Sequence, residues 1–172
     1  GRDRKSGRIW RIIYKGETDK KIDWSKATID ELLKGLGSST YSQRMMASNR
    51  IVDYKANEAT GPLKNLVKDN KTTSEQKVHA LWALKRLNAL SQEELAQAAK
   101  SNDQEVRVHA YRILAEYESL DPNQRALALE GIQHTDPHTQ RAAADVLVRH
   151  PHSDNIKPIA TVAQAVPTAD TH

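Results

Sequence analysis

Four alanines recur along the chain at intervals of 33, 30 and 33 residues: Ala47, Ala80, Ala110 and Ala143. An aliphatic residue follows each one four positions later, Ile51, Leu84, Leu114 and Leu147. A long polar residue precedes each by three positions, Arg44, Lys77, Arg107 and Gln140, with Arg141 one place on. The best pair of copies aligns without a gap, Val78-His79-Ala80 over Val108-His109-Ala110. A repeat of this length holds two short helices. One such pair buries too little apolar surface to stand alone, whereas stacked pairs bury a continuous core. The period therefore predicts an all-α solenoid.

The punctuation between the repeats agrees. Thr28-Ile-Asp-Glu31 reads as a capping box, with Ile29, Leu32, Leu33 and Leu36 at helical spacing and Gly37 closing the helix. Thr40, Thr73, Ser91 and Asp103 stand where further helix caps are needed. Asp121-Pro122 and Asp136-Pro137 are pairs of cap and first helical residue. A third helix is expected from about Glu58 to Lys68 with Pro62 in its first turns, and a ninth from Ser153. This predicts four helix pairs plus a closing helix over residues 28–165, with a disordered tail over 166–172.

The N-terminus does not fit that pattern. Gly7-Arg-Ile-Trp-Arg-Ile-Ile-Tyr-Lys-Gly16 mixes β-branched, aromatic and basic residues between two glycines, as a half-wet strand does. Residues 1–16 are therefore read as one orphan β-strand, and 17–27 as a polar linker. A strand without a sheet leaves its backbone groups unpaired. Residues 7–15 are expected either to lie against the first helix pair or to pair with the same strand of another molecule.

Composition narrows the function. Phe and Cys are absent, so the core must come from Leu, Ile, Val and Ala, and thiolate metal sites, disulfides and a Cys nucleophile are excluded. No run reaches the roughly 18 apolar residues of a membrane span. The net charge of +4 is concentrated at the start. Nine of the 26 basic and four of the 22 acidic residues fall in the first 26 positions, leaving 17 against 18 for the helices. A nucleic-acid surface would need a basic stripe along the fold, which this balance argues against.

Asp103-x-x-Val106-Arg107-x-x-Ala110-x-x-x-Leu114 resembles the signature of short HEAT-like repeats, and the stretch from Asp136 is a weaker copy. The resemblance spans about residues 28–165, although Thr40 and Thr73 stand where the pattern has Asp. It implies a protein-interaction scaffold and no activity of its own. A second resemblance rests on Gly7-Arg-Ile-Trp-Arg-Ile12, Asp23-Trp-Ser-Lys26, Glu31-Leu-Leu33 and Arg44. These are similar to the junction in bacterial membrane-bound dehydrogenase-like proteins. There a propeller like that of glucose and sorbosone dehydrogenases precedes HEAT-like repeats and often a c-type cytochrome domain. That resemblance implies that residues 1–16 are the last strand of a propeller and that the parent protein is exported, to the periplasm or beyond the cell.

Arg44, Lys77, Arg107 and Arg141 form a candidate basic row on the inner face; the alternative is a structural ladder in which each bonds a neighbouring cap. His79 and His109 occupy equivalent repeat positions and could face one another. Their column continues with Met46 and Ala142, however, and nothing completes a metal shell. His134, His138, His150 and His152 cluster near helix boundaries and read as surface. Trp82 reads as core and Trp24 as a lid on the first pair. There is no Gly-x-Ser-x-Gly, no glycine-rich phosphate loop and no Cys-x-x-Cys-His, so neither a catalytic residue nor a cofactor is expected. The resulting expectation is a non-catalytic interaction and spacer domain whose partner is a protein or a neighbouring domain of the same chain. The alternatives are a nucleic-acid-binding repeat protein resembling HEAT-like DNA glycosylases and a bilin lyase-like enzyme.

Overall fold

A computed structural model describes residues 22–165. The orphan strand, residues 17–21 of the linker and the tail over 166–172 lie outside the described residues. Within them the chain is all-α: α1 (Ile29–Gly35), α2 (Tyr41–Tyr54), α3 (Ala56–Lys68), α4 (Ser74–Arg86), α5 (Gln92–Ala99), α6 (Gln104–Ala115), α7 (Pro122–Gly131), α8 (Pro137–Arg149), a 3-10 turn (Ser153–Asn155) and α9 (Ile156–Ala165). Helices α1, α3, α5 and α7 each pack on the even helix that follows in the chain. The even helices α2, α4, α6 and α8 also pack on one another in sequence, forming one layer of a solenoid.

Local chemistry explains most of the boundaries. Complete capping boxes open α1 at Thr28, α5 at Ser91 and α7 at Asp121. Thr73 caps α4 through the Gln76 amide, but the Gln76 side chain does not return to close a box. It donates instead to the Leu33 carbonyl of α1, 2.8 Å away, and so ties the first pair to the second. Thr40 makes no cap with its side chain. Ser38 takes over that loop, accepting from the Thr40 amide and donating to Gln43.

Three junctions differ from the sequence expectation. The third helix starts at Ala56, not Glu58, and a single residue, Lys55, both ends α2 and begins α3. Pro62 therefore sits in the middle of α3, where its ring removes the amide that would bond the Glu58 carbonyl. No described glycine has a positive φ, so Gly37 is not a left-handed cap. That role falls to Asn88 after α4, at φ 52°. Its amide bonds the Lys85 carbonyl and the Ala89 amide bonds that of Leu84, the paired bonds of a Schellman motif. Finally, the 3-10 turn precedes α9, and His152 caps that turn.

The repeating alanines are sites of close helix approach. Ala47, Ala80, Ala110 and Ala143 are all buried. Gly35 of α1 and Gly131 of α7 lie against Ala47 and Ala143; a Cβ on either glycine would come within 2.9 Å and 2.7 Å of the facing alanine Cβ. Trp24 fills the space over Gly35 and is buried in the first core with Leu32 and Leu36.

Two apolar cores run through the stack, one under α1–α4 and one under α4–α8, and α4 belongs to both. Val78 and Leu81 face the second core; Ala80, Ala83 and Leu84 face the first. Ion pairs bridge α3 and α5. Buried Glu94 holds Lys64 at 3.2 Å and Lys68 at 3.7 Å. Burial works against its charge, but the Ser91 amide and Lys64 outweigh it and keep the carboxyl below its ordinary range.

The caps are linked from repeat to repeat. The first residue of one helix donates to the cap aspartate of the equivalent helix in the next repeat: Ser74 to Asp103, Gln104 to Asp136 at 2.7 Å, and Gln92 to Asp121 at 2.7 Å. Hydrogen bonding from Thr139 holds the Asp136 carboxyl far below the ordinary carboxylate range.

Candidate interaction groove

The even helices carry their equivalent side chains in register, so one repeat position makes one column across their shared face. His79 is the sixth residue of α4 and His109 the sixth of α6; Trp82 and Arg112 are the ninth residues of the same two helices. These columns line a groove of about 770 Å³ that runs from Tyr41 and Met45 on α2 to His138 on α8. Val78 and Val108 supply its apolar floor, Glu75 and Glu105 lie at the helix starts, and Arg86 and Arg112 lie toward the helix ends.

His79 and His109 each accept a hydrogen bond from the preceding even helix. Arg44 donates from Nε to His79 Nε2 at 3.2 Å, and Trp82 donates its indole N–H to His109 Nδ1 at 3.0 Å. The indole and imidazole meet edge to face, 6.3 Å between centroids. A nitrogen that accepts carries no proton, so both rings are neutral with opposite tautomers: the hydrogen is on Nδ1 in His79 and on Nε2 in His109. Burial, then the Arg44 charge, pushes the His79 pKa below its ordinary value. Burial, then Arg112 and His79, does the same for His109.

The basic row does not converge on this groove. Arg44 lines it, but its Nη1 is bonded to the carbonyls of Ser38 and Ser39 at 2.7 and 3.1 Å. Arg107 is only 11% exposed and reaches the Ser101 carbonyl at 2.8 Å, Thr139 Oγ1 at 3.3 Å and Asp136 at 3.4 Å. Gln140, the equivalent residue on α8, bonds the Ile132 carbonyl. This position therefore pins the turn between the two helices of its own repeat. Lys77 is half-buried outside the groove, where its charge helps to lower the pKa of Asp103. Arg141 is exposed and also lies outside.

The remaining histidines do not gather. His134 accepts from the Asp136 amide, and buried His150 places its two ring nitrogens against the carbonyls of Val146 and Tyr117, each at 2.8 Å. Among the described residues no group of three or more His, Asp or Glu has metal-holding geometry, and no helix is long and apolar enough to cross a membrane. Sequence reasoning missed Trp82 and Arg112 as groove residues. Trp82 packs against the core, as its apolar neighbours suggested, yet its indole N–H reaches the groove. The signal that could have found it is its shared register with Arg112 one repeat on.

No family model matches this sequence, and no curated protein matches it. Among solved structures the chain is similar to the crystal structure of an engineered protein, at 21% identity and a TM-score of 0.42 over 83% of this chain and 73% of that one.

Proposed function

We propose that this chain is a non-catalytic interaction and spacer domain that presents the face of its even helices to a segment of a protein partner or of a neighbouring domain. The observation that carries the reading is the groove itself, in which successive even helices contribute apolar floor and polar walls from equivalent positions. A rigid stack of this kind suits recognition of an extended chain, because each repeat meets a successive stretch of it. On the N-terminal resemblance, the parent is a larger exported dehydrogenase-like protein, and this domain holds its propeller in a fixed relation to a downstream domain.

Nucleic acid is the less favoured partner. Three arginines in the groove face two glutamates, and those glutamates would meet the evenly spaced phosphates of a backbone. A peptide array probed with the folded chain tests the scaffold reading. Binding sequences are expected, and Val108→Glu should abolish their capture while the helical signal is retained. An array without binders, or binders indifferent to Val108, would remove the groove as the interaction face.

A further inference from the structure

We propose that the groove is a receptor for carboxylates, and that the segment it takes is acidic, alternating Asp or Glu with apolar side chains. This deepens the scaffold reading and rests on it. The geometry supplies the donors. His79 and His109 each commit one nitrogen to an intramolecular acceptor role, which turns the other into an N–H donor. His79 Nδ1 and His109 Nε2 have no hydrogen-bond partner among the described residues, and both rings line the groove. Arg44 and Trp82 therefore act as orienting residues, each fixing which nitrogen is left to donate.

Arg112 adds the charge. It is exposed, lines the same groove, has no hydrogen-bond or ion-pair partner among the described residues, and lies close enough for its charge to bear on His109. The other two groove arginines are engaged, Arg44 by loop carbonyls and Arg86 by Asn49 at 2.8 Å and Asp53 at 3.9 Å. A neutral N–H donor beside an uncommitted guanidinium suits a carboxylate, which accepts from both at once. The apolar floor of Met45, Val78 and Val108 would take the side chains between the carboxylates. Glu75 and Glu105, at the opposite lip, repel an evenly charged polyanion but tolerate a segment whose acidic side chains all point one way, as alternate residues of an extended chain do.

The test is binding of a fluorescent peptide alternating glutamate and leucine, compared with its lysine and its glutamine counterparts and with a random-sequence DNA duplex, at low salt. The acidic peptide is expected to bind tightest. Arg112→Glu should weaken it by at least about tenfold, the scale of one charge-assisted hydrogen bond with its sign reversed. His109→Leu should weaken it by several-fold, and Arg141→Glu, the same charge change outside the groove, should leave it as it was. Far-UV circular dichroism on each variant separates loss of the donor from loss of the fold. Equal binding of acidic and lysine peptides, or an Arg112→Glu variant that binds like the wild type, overturns the carboxylate assignment. Binding of the glutamine peptide alone would overturn it too, yet leave the scaffold reading standing. Failure of every peptide would sink both, and a duplex that binds tighter than any peptide would replace them with nucleic acid.

Discussion

Trp82 and His109 join α4 to α6 through one hydrogen bond, from the indole N–H to Nδ1 across 3.0 Å. One repeat earlier, Arg44 and His79 join α2 to α4 in the same way. Both bonds exist only while the imidazole is neutral, so protons and inter-repeat packing compete for the same nitrogen atoms.

Stability should therefore respond to pH through these two residues. Unfolded, each imidazole takes up a proton near its ordinary pKa of 6.5; folded, burial and the neighbouring positive charges hold that pKa lower. Below 6.5 the unfolded state binds more protons, so this contribution is complete above 6.5 and declines as pH falls toward the folded values. The urea midpoint of the wild type should drop more between about pH 7.5 and pH 5.5 than that of a His79→Gln/His109→Gln variant. Parallel pH profiles for the two proteins would refute the coupling.

Arg107 and Arg141, neighbours in the proposed basic row, should separate cleanly on charge reversal. Arg107→Glu would place a carboxylate against Asp136 and the Ser101 carbonyl, at a site where both partners of the ion pair are largely buried. It should cost about 3 kcal/mol, the low end for breaking a buried pair. Arg141→Glu, on an exposed side chain, should stay within about 0.5 kcal/mol. Thermal melts of the two variants decide the matter, and equal shifts would count against the pinning role of Arg107.

Gly131→Ala sets helix propensity against packing. Alanine inside a helix gains about 1 kcal/mol over glycine. Here, though, the new Cβ would stand 2.5 Å from Tyr111 Cζ and 2.7 Å from the Ala143 Cβ. Tyr111 is 2% exposed and cannot swing away, so overpacking of about 1–3 kcal/mol should win. A variant more stable than the wild type in urea would show that α7 can move off α8.

Trp24 moves the working start of the domain ahead of the cap of α1. Chains beginning at residue 22 should unfold with the midpoint of the full chain, because stacked helix pairs supply a core of their own and the start at residue 22 keeps Trp24 in it. Chains beginning at residue 28 lose the indole that fills the space over Gly35, and should lose about 3–5 kcal/mol, as for a large aromatic cut from a core. Equal midpoints would return Trp24 to the linker.

The parts of the fold that were legible in sequence are those decided within about four residues. Thr28 with Glu31, Ser91 with Glu94, and the two Asp-Pro pairs cap the helices they precede because the bonds are local. The Ala-to-aliphatic spacing marked the buried seam for the same reason, since both residues share one helix face. What escaped were choices made between helices. The Gln76 side chain prefers a carbonyl 43 positions away to its own cap, and Gly35 is a glycine because Trp24 lies above it. In the groove, the two histidines stood out as equivalent positions, but their donors, Arg44 and Trp82, come from the neighbouring repeat, where local pattern has no reach.

Because α4 lends one set of side chains to each core, it cannot leave one without weakening the other. In a linear array, stability is a sum of unit energies and nearest-neighbour couplings, and a helix shared by two cores couples them directly. The two halves should therefore melt in a single transition, with no plateau between them. The ionic joint of Glu94 with Lys64 and Lys68 is the weaker coupling, and it bends more readily than packed side chains do. Seen as a spring, the stack has a stiff spine along its even helices and a compliant seam between α3 and α5, so a pull on its ends would open the outer layer before the groove lost its shape.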